Sequence, residues 1–183
     1  WSSDVCSSDL PLAELTVPDE RNLHFVVTEG SAGARRLSLE DIYAVVSEIA
    51  LHAGVPESIR SHFSQAQNLA VYSWFHYPFH VTAQLLAFIS VEFALKHRLN
   101  SQAPFKRRIT TAVEKGLIKD HGFAIAAHRE NATEPYVQTL IEVMPWLRNR
   151  LAHGASMLHN NSVSSLRICA DFINQLYASP SDG

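Results

Sequence analysis

Seven consecutive residues, Arg148-Asn149-Arg150-Leu151-Ala152-His153-Gly154, carry the sharpest chemical feature of this chain. Arginine offers a planar fork of donors that matches a phosphate, and histidine exchanges a proton near neutral pH. Asparagine can orient either group. These are the parts that metal-free RNA cleavage needs, in which a 2′-hydroxyl attacks the adjoining phosphate. The apolar spacing of Val137, Leu140, Ile141, Met144, Leu147 and Leu151 puts the segment at the end of a helix that starts near Pro135 and stops at Gly154. On that helix Asn149 and His153 are i,i+4 and share a face, whereas Arg148 and His153 are about 140° apart. The last two converge only if the helix frays or turns at Gly154. A helix C-terminus also favours the imidazolium form of His153. On spacing alone, a plain helix end with a surface histidine remains an open reading.

The other common catalytic patterns are missing. The chain has no phosphate loop, no dinucleotide-binding glycine pattern, no nucleophile elbow and no zinc-binding histidine pair on a helix. Ten histidines raise the question of a metal. His76 and His80 are i,i+4, but Pro78 separates them and no Asp, Glu or Cys lies close in sequence. His121 and His128 sit beside basic residues, which oppose a cation. Neither a metal nor a cofactor is expected.

Glu92 is the outlier among the carboxylates. It falls on an apolar stripe made by Val81, Leu85, Phe88, Leu95 and Leu99, where an unpaired carboxylate costs several kcal/mol (about 3 to 5). A carboxylate at the edge of the stripe could simply reach water, and Lys96, one turn on, is a local partner. Arg148 is the more informative one, because its fork can grip a carboxylate on one side and offer remaining donors to phosphate. Glu92 would then fix the arginine and carry no proton. Lys106, Arg107 and Arg108 form the only three-residue basic run, and Arg150 lies inside the motif. All four are candidates for an RNA-binding surface, although a solvated first turn of a helix accounts for the run equally well.

These residues need elements to position them. Ser38 with Asp41 has capping-box spacing, and Ile42, Val45, Val46 and Ile49 predict a helix from Ser38 to about His52, stopped by Gly54. Further helices are expected from Pro56 to about Phe75, from Phe79 to Leu99, from Phe105 to Lys115, from Pro135 to Gly154 with a kink at Pro145, and from Val163 to Tyr177. Residues 117–122 read as a turn or short helix, and 123–129 are ambiguous. Helices with one apolar face bury those faces against each other, so an all-α, up-and-down bundle of about five to six helices over residues 38–179 follows. Residues 11–37 read as an arm or small extension with a short strand at Leu23–Thr28. Residues 1–10, Trp1 to Leu10, resemble a translated sequencing-adapter remnant fused to the reading frame, so they are set aside and the native start is expected to be missing.

Composition is consistent with this plan. The chain has 183 residues and is 46% hydrophobic, enough for a core and against wholesale disorder. Net charge is −3, distributed as ten acidic and four basic residues before position 61 and eight acidic and eleven basic after it. That second-half excess permits a local nucleic-acid footprint without requiring one. Only Cys6 and Cys169 are present, which fits a reducing compartment. No secretory signal is visible. The apolar stretch Ala83–Leu95 is short for a membrane span and contains Glu92, so a cytoplasmic protein with a buried core helix is expected.

The segment Arg148-Asn149-x-x-x-His153 resembles the signature of the HEPN superfamily: an arginine, often followed by a polar residue, and a histidine four to six residues on. The form Arg-Asn-x-Leu-Ala-His-Gly is similar to that of many uncharacterised bacterial members. Trp74-Phe75-x-Tyr77-x-Phe79 followed by Glu92-x-x-Leu95 resembles the preceding helix pair, as do Phe105-x-x-x-Ile109 and Ala112-x-x-x-Gly116-Leu117-Ile118. The resemblance covers roughly residues 60–177. It implies a helical bundle that dimerises with two motifs at the interface. It also implies metal-independent endoribonuclease activity of the toxin–antitoxin or phage-defence type, with RNA and an antitoxin as partners. By the same resemblance Arg148 contacts the scissile phosphate, His153 does acid–base chemistry and Asn149 orients the site. Inactive relatives make the alternative a non-catalytic helical module that binds nucleic acid or protein.

Overall fold

The structure is a computed structural model and describes residues 12–28, 33–128, 134–154 and 161–178. The expectation for residues 1–10 lies outside the described residues. Among the described residues six helices form an all-α bundle: α1 Leu39–Ser47, α2 Glu57–Tyr72, α3 Phe79–Leu99, α4 Phe105–Glu114, α5 Tyr136–Ala152 and α6 Ser162–Leu176. Helix α3 is the hub and packs against α2, α4, α5 and α6. Its Ala83, Ala87, Val91, Ala94 and Leu95 are fully buried, and the small alanines let neighbouring helices approach closely. By length and composition α3 could cross a membrane, and half of its most apolar window is buried inside the bundle.

Helix α1 starts as expected. The Ser38 hydroxyl accepts the Asp41 amide at 3.3 Å, and the Asp41 carboxylate accepts the Ser38 amide at 2.9 Å. It ends at Ser47, well before Gly54. Ile49 turns into the core, and Gln67 of α2 donates to the carbonyls of Val46 and Ile49 at 3.3 and 2.7 Å. A side chain from another helix thus satisfies the end of α1, which local sequence does not show. Helix α2 likewise stops at Tyr72, short of Phe75.

Helix α3 keeps its expected bounds and ends at Asn100, whose φ of 47° is left-handed. Helix α4 ends one residue early, and Gly116, at φ 68°, closes it. The amides of Leu117 and Gly116 bond back to the carbonyls of Ala112 and Val113 in a Schellman pattern. Helix α5 runs continuously through Pro145, and its first amides, those of Tyr136 and Val137, donate to the Asp120 carboxylate at 2.8 and 2.9 Å. The ambiguous stretch after Phe123 is a 3-10 turn, Ala124–His128.

The arm is a 3-10 turn, Glu20–His24, followed by an antiparallel hairpin of β1 Val26–Thr28 and β2 Ala34–Arg36 in the register Val26 opposite Arg36. Leu23 and His24 therefore leave the expected strand. Asn22 fixes the arm to the bundle by donating to the carbonyls of Ser73 and Trp74 at 2.8 and 3.0 Å.

Candidate active site at the junction of three helices

Helix α5 aims its inner face at α3 and α4, and Arg148 lies on that face. Its Nε donates to Glu92 Oε2 at 3.0 Å, and Nη2 also bonds to Oε2. Glu92 reaches the junction because it lies on the buried stripe of α3, the stripe that made its isolation unaffordable. Its other oxygen, Oε1, accepts Nη2 of Arg108 at 2.6 Å, and Arg108 Nη1 donates to the Glu92 backbone carbonyl at 3.2 Å. One carboxylate thus serves two guanidiniums from two different helices. The cluster keeps a net positive charge, with Arg108 6%, Glu92 21% and Arg148 30% exposed at the side chain. Arg108 Nε is buried without a hydrogen-bond partner. Lys96 is exposed and takes no part.

Arg148 is the outermost member. Its Nη1 donates to Asn149 Oδ1 at 2.8 Å, and the Phe105 ring centroid lies 6.0 Å from its guanidinium carbon. An arginine has five N–H donors. Among the described residues three are used, on Glu92 and Asn149, which leaves one N–H on each terminal nitrogen. A partly exposed cation with two donors and a fixed plane is a ready phosphate clamp.

His153 closes α5. Its amide donates to the Asn149 carbonyl at 3.0 Å, and Gly154 follows at φ 80°, the left-handed stop. Asn149 and His153 are both exposed. No hydrogen bond or ring contact joins Arg148 to His153, as their i+5 spacing on a regular helix requires. Within one chain the arginine points inward and the histidine lies on the outer face.

The basic run divides three ways. Lys106 bonds to Glu142 of α5 at 2.6 Å, and Arg107 lies 3.9 Å from Glu114. Arg108 leaves the surface altogether, which corrects its expected place on an RNA-facing patch. A signal for this was present in sequence, since Phe105, Arg108, Ile109 and Ala112 form one i,i+3,i+4,i+7 stripe and all four are buried. Arg150 is exposed, with its guanidinium carbon 5.1 Å from the Trp146 ring centroid.

Two of the histidines that drew attention, His80 and His76, pack within the bundle. His80 is buried, with Nδ1 2.7 Å from the Ser162 hydroxyl and Nε2 3.1 Å from that of Ser73. It ties α3 to α6 and to the end of α2. His76 packs edge-on against Phe79. Cys169 is buried, and burial pushes its thiol far above the ordinary range, which makes it inert. No family model, no curated protein and no solved structure matches this chain.

Proposed function

We propose that this chain is a metal-independent endoribonuclease of the toxin–antitoxin or phage-defence kind. The observation that carries the reading is Arg148, locked in plane by Glu92 and Asn149 while two N–H groups stay uncommitted among the described residues, on a helix whose last turn also exposes His153. Those donors suit the two non-bridging oxygens of a scissile phosphate. A 2′-hydroxyl attacks phosphorus, the bond to the 5′-oxygen breaks, and the products are a 2′,3′-cyclic phosphate and a 5′-hydroxyl. Neutral His153 takes the proton from the attacking hydroxyl, and an imidazolium gives one to the leaving oxygen.

Two proton transfers and one histidine per motif favour a homodimer, in which a twofold axis near the last turn of α5 supplies a second His153. It also addresses the divergence of Arg148 and His153 within one chain. Sedimentation of the purified protein at micromolar concentration tests the assembly: a dimer is expected, and a monomer that still cleaves RNA contradicts the two-copy site.

One observation favours a second reading, a non-catalytic binding module. The Arg148 and His153 side chains of a single chain do not meet, and much of the neighbouring basic charge is already neutralised by Glu92, Glu142 and Glu114. Labelled RNA incubated with the wild type in EDTA separates the readings, since the nuclease cuts it and the binding module only retards it.

A further inference from the structure

The outer face of α5 carries Val143, Trp146, Asn149, Arg150 and His153 at helical spacing. Trp146 is 55% exposed and Val143 39% exposed, on a helix whose opposite face is buried. Single exposed hydrophobics are ordinary, but here an open indole lies beside an exposed valine and under an arginine, so its flat face is offered next to a cation. Arg150 stands over its ring, yet with the cation in place more than half the side chain stays accessible. The one carboxylate of this face near Trp146, Glu142, is engaged by Lys106 and so weakly opposes a polyanion.

We infer that Trp146 and Arg150 form a shelf for an unpaired nucleotide beside the scissile phosphate, with the base stacked on the indole and its phosphate on the guanidinium. The inference rests on the ribonuclease reading and narrows its substrate to single-stranded or looped RNA. Trp146 and His153 are two turns apart, about 10 Å along the axis, a span that a nucleotide or two can cover. Asn149 and Arg150 lie between them on the same face. Base–aromatic stacking needs a base whose flat side is open, and a paired base in an A-form helix is covered by its neighbours. Around Trp146 the apolar content is one indole and one valine, too little to make this part of the face the core of a seam, and a twofold axis at the last turn of α5 lies about two turns away from the indole.

The test uses the full chain in a His153→Ala background, so that RNA is bound and not consumed, and a fluorescein-labelled oligoadenylate against a labelled RNA duplex. Trp146→Ala is expected to weaken oligoadenylate binding at least ~5-fold, the lower end of what stacking by one base supplies, with Trp146→Phe retaining most of it. Duplex binding should change little. In the active background the Trp146→Ala loss should fall on KM and spare kcat. Unchanged oligoadenylate affinity in Trp146→Ala, in a protein whose wild type cuts RNA, overturns the shelf and leaves the nuclease standing. A wild type that neither binds nor cuts RNA overturns both. A dimer that becomes a monomer on Trp146→Ala assigns this face to a second copy and overturns the shelf.

Discussion

Glu92 holds two arginines, and the consequences of changing it differ with the replacement. Glu92→Gln keeps an oxygen for one guanidinium and retains shape, so the fold should survive while Arg148 loses its fixed plane and cleavage falls partially. Glu92→Ala leaves the nearly buried Arg108 and the partly exposed Arg148 without a counter-ion, and about 2–4 kcal/mol of stability should be lost, below the fully buried limit because Arg148 reaches water. Urea denaturation of the two variants measures this, and equal midpoints would refute the shared-carboxylate account. Arg148→Ala should be far milder in stability, because Arg108 still neutralises Glu92. The run Lys106-Arg107-Arg108 offers the matching contrast. Arg108→Ala should cost about 3 kcal/mol or more and Lys106→Ala about 0.5 kcal/mol or less, since one pair is buried and the other exposed. Sequence reading could see that Glu92 needed a partner, because threefold and fourfold spacing put it on an apolar stripe. Placing Arg108 on the surface came from reading the basic run as a unit and overlooking the stripe that runs through it.

At the scale of elements, α3, α4, α5 and α6 were legible to within a residue or two at each end. The α1 end that missed was decided by a distant group, Gln67 of α2, and the start of α5, which falls where expected beside Pro135, is capped by Asp120 from sixteen residues upstream of its first amide. Neither partner is local, so no pattern around the helix end reveals it. The arm shows the same dependence on distant contacts. Asp19 accepts Arg21 through both carboxylate oxygens and the Tyr77 amide at 2.9 Å, and its own amide donates to the Trp74 carbonyl. The Arg21 guanidinium, helped by the Tyr77 and Arg21 amides, lowers its carboxyl to about 2 from 3.8. Because the folded value is depressed, the stability this group contributes is fully present above about pH 4 and is lost as pH falls through about 2. The Tyr77 amide and residues 19–28 should therefore report a transition centred near pH 2 by NMR, ahead of or apart from the α6 core. A midpoint at the ordinary carboxylate value would contradict the clamp. Asp19→Asn should loosen the arm at neutral pH.

For the whole molecule, the bundle brings three helices to one junction and leaves the chemistry divided between the inner and outer sides of α5. The motif itself was visible in sequence, as was the helix that ends in it. The pairing of Arg148 with Glu92 and its separation from the face of Asn149 and His153 were legible from spacing; what sequence did not show is that Arg108 shares the same carboxylate. Trp146 lies off the stripe of Val137, Leu140, Ile141, Met144, Leu147 and Leu151, so its outward direction was legible from spacing, and the bundle leaves it 55% exposed. The account predicts a protein whose fold rests on Arg108 and Glu92 and whose activity rests on Arg148 and His153. The direct test is cleavage of an end-labelled, single-stranded RNA by the purified chain in excess EDTA, with the product ends identified. Cleavage leaving 2′,3′-cyclic phosphate ends, lost in Arg148→Ala and in His153→Ala while circular dichroism shows both still helical, is the predicted result. RNA left intact by the wild type, or cleavage that stops when EDTA is added, would contradict it.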